Sequence, residues 1–221
     1  MIKLENVVLT SPKQMNFVIE GMRNPLNSWN KSDSDIIGDP FGEWGCKFSL
    51  GENDHSLMQR LSNAGTEHRK YMRMIPVYVR ITAPLYWWKE FDTYKIGTVS
   101  NSCSTMHKIA EKEFTLGDFS IEHLNDDRSA ELSNVEWLEH LIHHLNRDRL
   151  RFIETKDKQY WWQMIQLLPS SYNQTRNVML NYEVLANIYR QRKNHKLDEW
   201  REVCKWIESL PYSELITGEE E

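Results

Sequence analysis

Several stretches carry side chains able to do chemistry. Thr66-Glu67-His68-Arg69-Lys70 gathers a carboxylate, an imidazole and two cations. At a helix-to-strand junction such a cluster forms either a site or a solvated turn. Val99-Ser-Asn-Ser-Cys-Ser-Thr-Met-His107 has no apolar period and is dense in hydroxyl and amide groups, the composition of a ligand-binding loop or of a plain surface loop. Glu139, His140, His143 and His144 fall within one predicted helix. His140 and His144 stand one turn apart, a metal-compatible spacing, but no Glu follows His140 as the H-E-x-x-H pattern requires. With His143 alongside, they read as a solvated helix face, and no metal site is predicted. Cys46, Cys103 and Cys204 are isolated and odd in number, which suggests neither a disulfide framework nor a thiolate zinc site and points to a reducing, cytoplasmic protein.

The elements that must position these groups follow from hydrophobic period and punctuation. Ile75, Val77, Val79 and Ile81 alternate as one buried face of a strand over 74–82, and Ala83-Pro84 stops it. Tyr86, Trp87, Glu90, Phe91 and Tyr94 then keep helical spacing. Upstream, residues 1–10 read as a strand and 14–22 as a short helix, followed by an irregular arm over 23–45. Asp54 is placed to cap a helix carrying Leu57, Met58 and Leu61. Downstream, Ser133-Asn-Val-Glu136 is a capping box ahead of a helix from 134 to about 153. Further helices are predicted over 156–167, 181–192 and 197–209, with 175–180 a short extended or turn segment. The fold class expected is α/β, a central mixed or antiparallel sheet with packed helices, in one domain over 1–217 with a disordered acidic tail at 218–221.

With 221 residues, 40% of them hydrophobic, the chain can bury a proper core. Its formal net charge of −5 disfavours a general nucleic-acid or anionic-membrane surface while leaving room for a local basic pocket. No apolar run approaches the ~18 residues of a membrane span.

The element order, and the wording at two places, resembles the flavin-dependent thymidylate synthases. Their signature R-H-R-x-x-S-x-N-E-x-S-x-R lies after an Ala-Pro strand end and an aromatic helix; here Thr93-Tyr94-Lys95 stands for R-H-R, Thr98 for the first Ser, and Asn101 to Met106 for N-E-x-S-x-R, with one extra residue between Thr98 and Asn101. The second place is Leu168-Pro169 followed by Asn181, Asn187 and Arg192, with Glu183 at the arginine of N-x-R. The resemblance covers roughly residues 54–107 and 165–208.

That resemblance implies one-carbon transfer to C5 of a pyrimidine nucleotide such as dUMP, with reduced FAD as hydride source and NADPH and methylenetetrahydrofolate as co-substrates. It implies a methyltransferase of nucleotide biosynthesis that assembles as a homotetramer with shared active sites. By the same resemblance Ser104 and Arg192 would be catalytic, and Ser104, Lys95, Arg192 and Glu90 would bind substrate. Asn101, Asn181, Asn187, Tyr94 and His68 would hold the flavin. The departures have physical consequences: Lys95 cannot reproduce the bidentate forks of two arginines, Met106 removes a cation, Ser102 replaces a carboxylate, and Glu183 reverses a charge. A catalytically inactive relative, serving as a nucleotide-binding or assembly module, is the alternative they support. An unrelated α/β protein sharing only the Ala-Pro and Leu-Pro punctuation is the third.

Overall fold

The computed structural model describes residues 2–39, 45–127 and 131–218. Strand β1 (Lys3–Val8) is followed by helix α1 (Pro12–Arg23). Ser11 caps α1 in a full capping box with Gln14, and Pro12, lacking an N–H, occupies a first-turn position where no donor is needed. The expected irregular arm proves more ordered than its composition suggests. Two single 3₁₀ turns lead into β2 (Asp35–Gly38), which pairs antiparallel with β3 (Cys46–Ser49), Ile36 opposite Phe48. Ile36-Ile37 and Lys47-Phe48 supply too short an apolar pattern to stand out among Asn, Ser, Asp and Gly. Part of that arm, 40–44, lies outside the described residues, as does Glu219–Glu221 of the expected tail.

Helix α2 (Glu52–Ser62) starts from Gly51, so Asp54 is not its cap. Asp54 instead lies fully buried inside the first turn and organises the preceding loop. Its carboxylate takes the Arg23 Nε–H at 2.5 Å and accepts from Ser32 Oγ, Ser34 Oγ and the backbone N–H groups of Asp33 and Ser34. Burial alone would raise this carboxyl, but the bonds from Ser34, Ser32, Arg23 and the Asp33 backbone outweigh it and hold the group below its ordinary value.

Strand β4 (Pro76–Pro84) buries Val77, Val79 and Ile81 and exposes Tyr78 and Arg80, as the alternation predicts. Helix α3 (Leu85–Phe91) follows directly but stops at Phe91, so Tyr94 lies beyond it rather than on its face. The expected aperiodic loop is split into strand β5 (Val99–Ser102) and a single helical turn α4 (Thr105–Lys108), whose polar residues are tolerated because the strand stands at a sheet edge. Helix α5 (Asn134–Thr155) begins with the predicted Ser133–Glu136 capping box and is followed by α6 (Lys158–Leu167). Residues 175–180 belong to a full strand, β6 (Asn173–Asn181), then α7 (Tyr182–Arg192), α8 (Asp198–Glu208) and the short α9 (Glu214–Thr217). The main sheet has the order β1-β4-β6-β5. The fold is thus the expected α/β mixture of sheet and packed helices.

Cα packing divides the chain into two compact units. One comprises Met1–Lys3, Ile81–Thr93 and Asn101–Asn177. Its core joins Ile109, Phe114 and Phe119 to Leu138, Ile142 and Leu145 of α5 and Met164 of α6. Trp87 stacks on Phe91 at 5.1 Å, and Trp88 donates its indole N–H to Gln174 O at 2.9 Å. The other comprises Leu4–Arg80, Tyr94–Ser100 and Val178–Glu221. Within it α7 packs on α8 and α9 and on the 3₁₀ segment Arg69–Met74, burying Leu185, Ile188, Trp200 and Ile207. Among the described residues no helix is long and apolar enough to cross a membrane.

Asp54→Asn leaves the buried Arg23 guanidinium without its carboxylate and is expected to cost about 3–5 kcal/mol, measured by urea denaturation at neutral pH. Because the folded carboxyl titrates below the unfolded one, its contribution is complete above the unfolded value near pH 3.9 and is lost as pH falls through the lower folded value. The Asn variant should therefore lose less stability than the parent as pH falls through that window.

Candidate functional site

The second unit positions its chemistry-bearing residues from the junction where β6 becomes α7 and along that helix. Asn181 is the helix cap: its Oδ1 accepts the Val184 N–H at 3.0 Å. The backbone N–H of Tyr182 donates to Ile75 O at 3.1 Å, and the Tyr182 hydroxyl donates to Pro211 O at 2.5 Å, so the start of α7 is tied at two further points. Burial, with Glu214 and Tyr212 adding to it, pushes the Tyr182 phenol well up and keeps it a neutral donor.

From the same cap Asn181 Nδ2 reaches Gly97 O at 3.5 Å, a long bond to the turn that carries Tyr94, Lys95 and Thr98. Gly97 has φ +78, and a Cβ there would stand 2.9 Å from Asn181 Nδ2 and 3.1 Å from a Val184 methyl. Only glycine lets the turn lie this close to α7. Both ends of the Asn181 amide are thus engaged within the chain.

At the other end of α7, Arg192 stacks its guanidinium over the buried Trp200 ring at 4.8 Å and beside Tyr94 at 5.7 Å, with Nε donating to the Tyr94 hydroxyl at 2.9 Å. Tyr94 in turn donates to Gln191 Oε1 at 2.8 Å and meets Trp200 edge-on at 5.9 Å. His195 faces the same indole at 6.4 Å. The result is a half-buried cation locked between aromatic rings, its planar face stacked and its fork held in one orientation. Lys95 is exposed and has no partner among the described residues. Thr98 Oγ1 is buried without a hydrogen bond there, a deficit of about 1–3 kcal/mol unless water or a ligand completes it.

Glu183, the reversed charge, is neutralised locally. Arg73 Nη2 donates to Glu183 Oε1 at 3.1 Å and Nε to Oε2, and the carboxylate keeps the guanidinium above its ordinary value. Position in the first turn of α7 adds favourable dipole contact. Asn187 accepts from Arg190 Nη2 at 2.7 Å on the half-buried side of the helix. His68 lies exposed in the turn before Arg69–Met74, 3.5 Å from Glu67. The composition of 66–70 contains no signal for Arg73, and neither Gln191 nor Gly97 shows a motif of its own. These three are the residues that sequence reasoning missed.

In the first unit, Asn101 lies exposed on β5, and Ser104 caps α4, accepting the His107 N–H at 3.0 Å. Glu90 is half-buried on α3, and its carbonyl accepts the Thr93 hydroxyl at 2.7 Å. Arg176 lies over the Trp88 ring at 4.1 Å and bonds Gln174 Oε1 at 2.9 Å and Asp92 Oδ1 at 2.7 Å. That network fixes the residue immediately before Thr93-Tyr94-Lys95. His140, His143 and His144 are exposed on α5, and among the described residues no group of three or more His, Cys, Asp or Glu side chains could hold a metal.

Arg73→Gln is expected to cost about 1–2 kcal/mol, since the Glu183 side chain is nearly buried while Arg73 is half-exposed. Reversing both charges, Arg73→Glu with Glu183→Arg, should recover much of that loss; a double-mutant cycle in urea with zero coupling would show the pair to be inert. Gly97→Ala should cost about 1–2 kcal/mol through backbone strain and displacement of the Asn181 amide.

No family model matches this sequence, and no curated protein matches it by sequence. By fold the chain is similar to thymidylate synthase X (ThyX) from Helicobacter pylori solved with FAD and dUMP, at 15% identity and TM-score 0.62, over 100% of this chain and 98% of that one. A second structure, flavin-dependent thymidylate synthase ThyX from the same organism complexed with FAD and dUMP, matches at 15% identity and TM-score 0.60 over 99% and 98% of the two chains. The chain therefore has the fold of these proteins from end to end.

Proposed function

We propose that this chain binds a flavin and a pyrimidine nucleotide and works as a flavin-dependent thymidylate synthase-like enzyme, moving a one-carbon unit to C5 of a dUMP-like substrate. The observation that carries the reading is the Arg192 clamp: a guanidinium stacked on Trp200 and fixed by Tyr94, at the position the resemblance assigns to nucleotide recognition. The whole-length fold match to proteins solved with FAD and dUMP supports it. The residues fit such a ligand. Thr98 offers an unpartnered hydroxyl, Lys95 offers an unpaired cation, and Tyr94 and Trp200 stiffen the wall.

FAD, when bound, supplies the redox chemistry, with NADPH and methylenetetrahydrofolate as the co-substrates. The chain's own share is positioning. Arg192 orients the base through a fixed fork of donors, and Lys95 contributes a single point charge toward phosphate. Asn101, Asn187, Tyr94 and His68 contact the flavin in this reading, and Asn181 does so only through the turn it holds. Glu90 and Ser104 approach the substrate. A homotetramer brings such groups together from different subunits. The cysteines Cys46, Cys103 and Cys204 are all free, which supports a reducing, cytoplasmic setting.

One observation favours a second reading, a non-catalytic nucleotide-binding or assembly module. Asn181 Nδ2 already donates to Gly97, and Glu183 accepts the Arg73 guanidinium, which leaves fewer donors for a diphosphate. An absorbance scan of the purified protein with added FAD separates the two. The enzyme reading predicts a retained flavin band that shifts with dUMP, and an Arg192→Ala variant that loses nucleotide affinity by about tenfold or more while keeping most of its flavin affinity. A folded protein that retains no flavin at micromolar concentration would select the module reading.

A further inference from the structure

Away from Tyr94 and Arg192, the C-terminal end of α1 and helix α2 enclose a cleft of about 550 Å³ lined by Arg23, Ser28, Lys31, Asn53, Ser56 and Arg60. No carboxylate is among its described lining residues. Arg23 is 3% exposed; its Nε serves Asp54 and its Nη1 serves the carbonyl and hydroxyl of Ser28, while Nη2 makes no hydrogen bond among the described residues. Lys31 and Arg60 are exposed at the rim and have no ion-pair partner among the described residues. Three cations thus face one cleft, with the Asp54 carboxylate on Arg23 and the Asp33 carboxylate on the Asn53 backbone N–H beside it, in a chain whose net charge is −5. Such a local reversal of sign concentrates field in a concave site.

We propose that this cleft binds a small molecule through a phosphate or diphosphate group. A singly charged anion would use only part of the surplus charge, whereas a multiply charged phosphate satisfies Lys31 and Arg60 together. Arg60 offers a planar fork, and Ser56 and Asn53 offer neutral donors beside it. The volume lies within the range of small-molecule sites, about 300–1,000 Å³. The same chemistry is carried by free pyrophosphate and by a nucleoside diphosphate.

Calorimetric titration of the full chain with inorganic pyrophosphate, and separately with UDP and ADP, tests the assignment without reference to flavin binding. The parent should bind pyrophosphate or a diphosphate, several-fold more weakly at about 200 mM than at about 50 mM salt. The Lys31→Gln/Arg60→Gln variant, altered only at exposed positions, should retain the parent's circular dichroism and bind about tenfold or more weakly. Tighter binding of UDP or ADP than of pyrophosphate would identify a nucleotide as the source, and the reverse order free pyrophosphate. Absence of binding to the parent at millimolar concentration, or equal binding by the double variant, would overturn the site.

Discussion

The junction at Asn181 is the constraint on which the site depends. A strand must end and a helix begin within one residue, and the same amide that caps α7 also holds the Gly97 turn against it. The chain's only way to bring the Tyr94–Thr98 turn this close is to have no side chain at 97. Once the cap and turn are fixed, the helical repeat sets where Glu183, Asn187 and Arg192 fall. Arg192, three turns from the cap, then meets Tyr94 and Trp200.

Two buried carboxylates of this unit are each paired locally. Asp54 is surrounded by donors and paired with Arg23, and Glu183 is paired with Arg73. Neither arrangement makes a net gain from burying charge obvious; each makes removal of one partner costly. Arg192 is held in another way, its guanidinium lying over the faces of Trp200 and Tyr94. A guanidinium held by stacking keeps its donors in one fixed plane, the feature that the proposed nucleotide contact would use.

Much of the scaffold is legible in the sequence. The β4 alternation, the Ser133 capping box and the periodic faces of α5, α7 and α8 depend on local patterns that tertiary context reinforced. What escaped depended on partners distant in sequence. β5 is polar and at an edge, so it has no apolar period to read, and β2 and β3 are too short to show one. Asp54 reads as a cap in the sequence because cap residues and buried ligands of a loop are the same residue types. Of the candidate site, Arg192 and Asn181 could be named only through the family resemblance. Arg73 could not, because the need for it arises only when Glu183 is buried 110 residues away in sequence.

The most direct test of this account is a crystal structure of the protein grown with FAD and dUMP. Flavin and nucleotide density are expected, with the pyrimidine within hydrogen-bond distance of an Arg192 guanidinium still stacked on Trp200. Nucleotide density remote from Arg192, or crystals that hold neither ligand under saturating conditions, would contradict it.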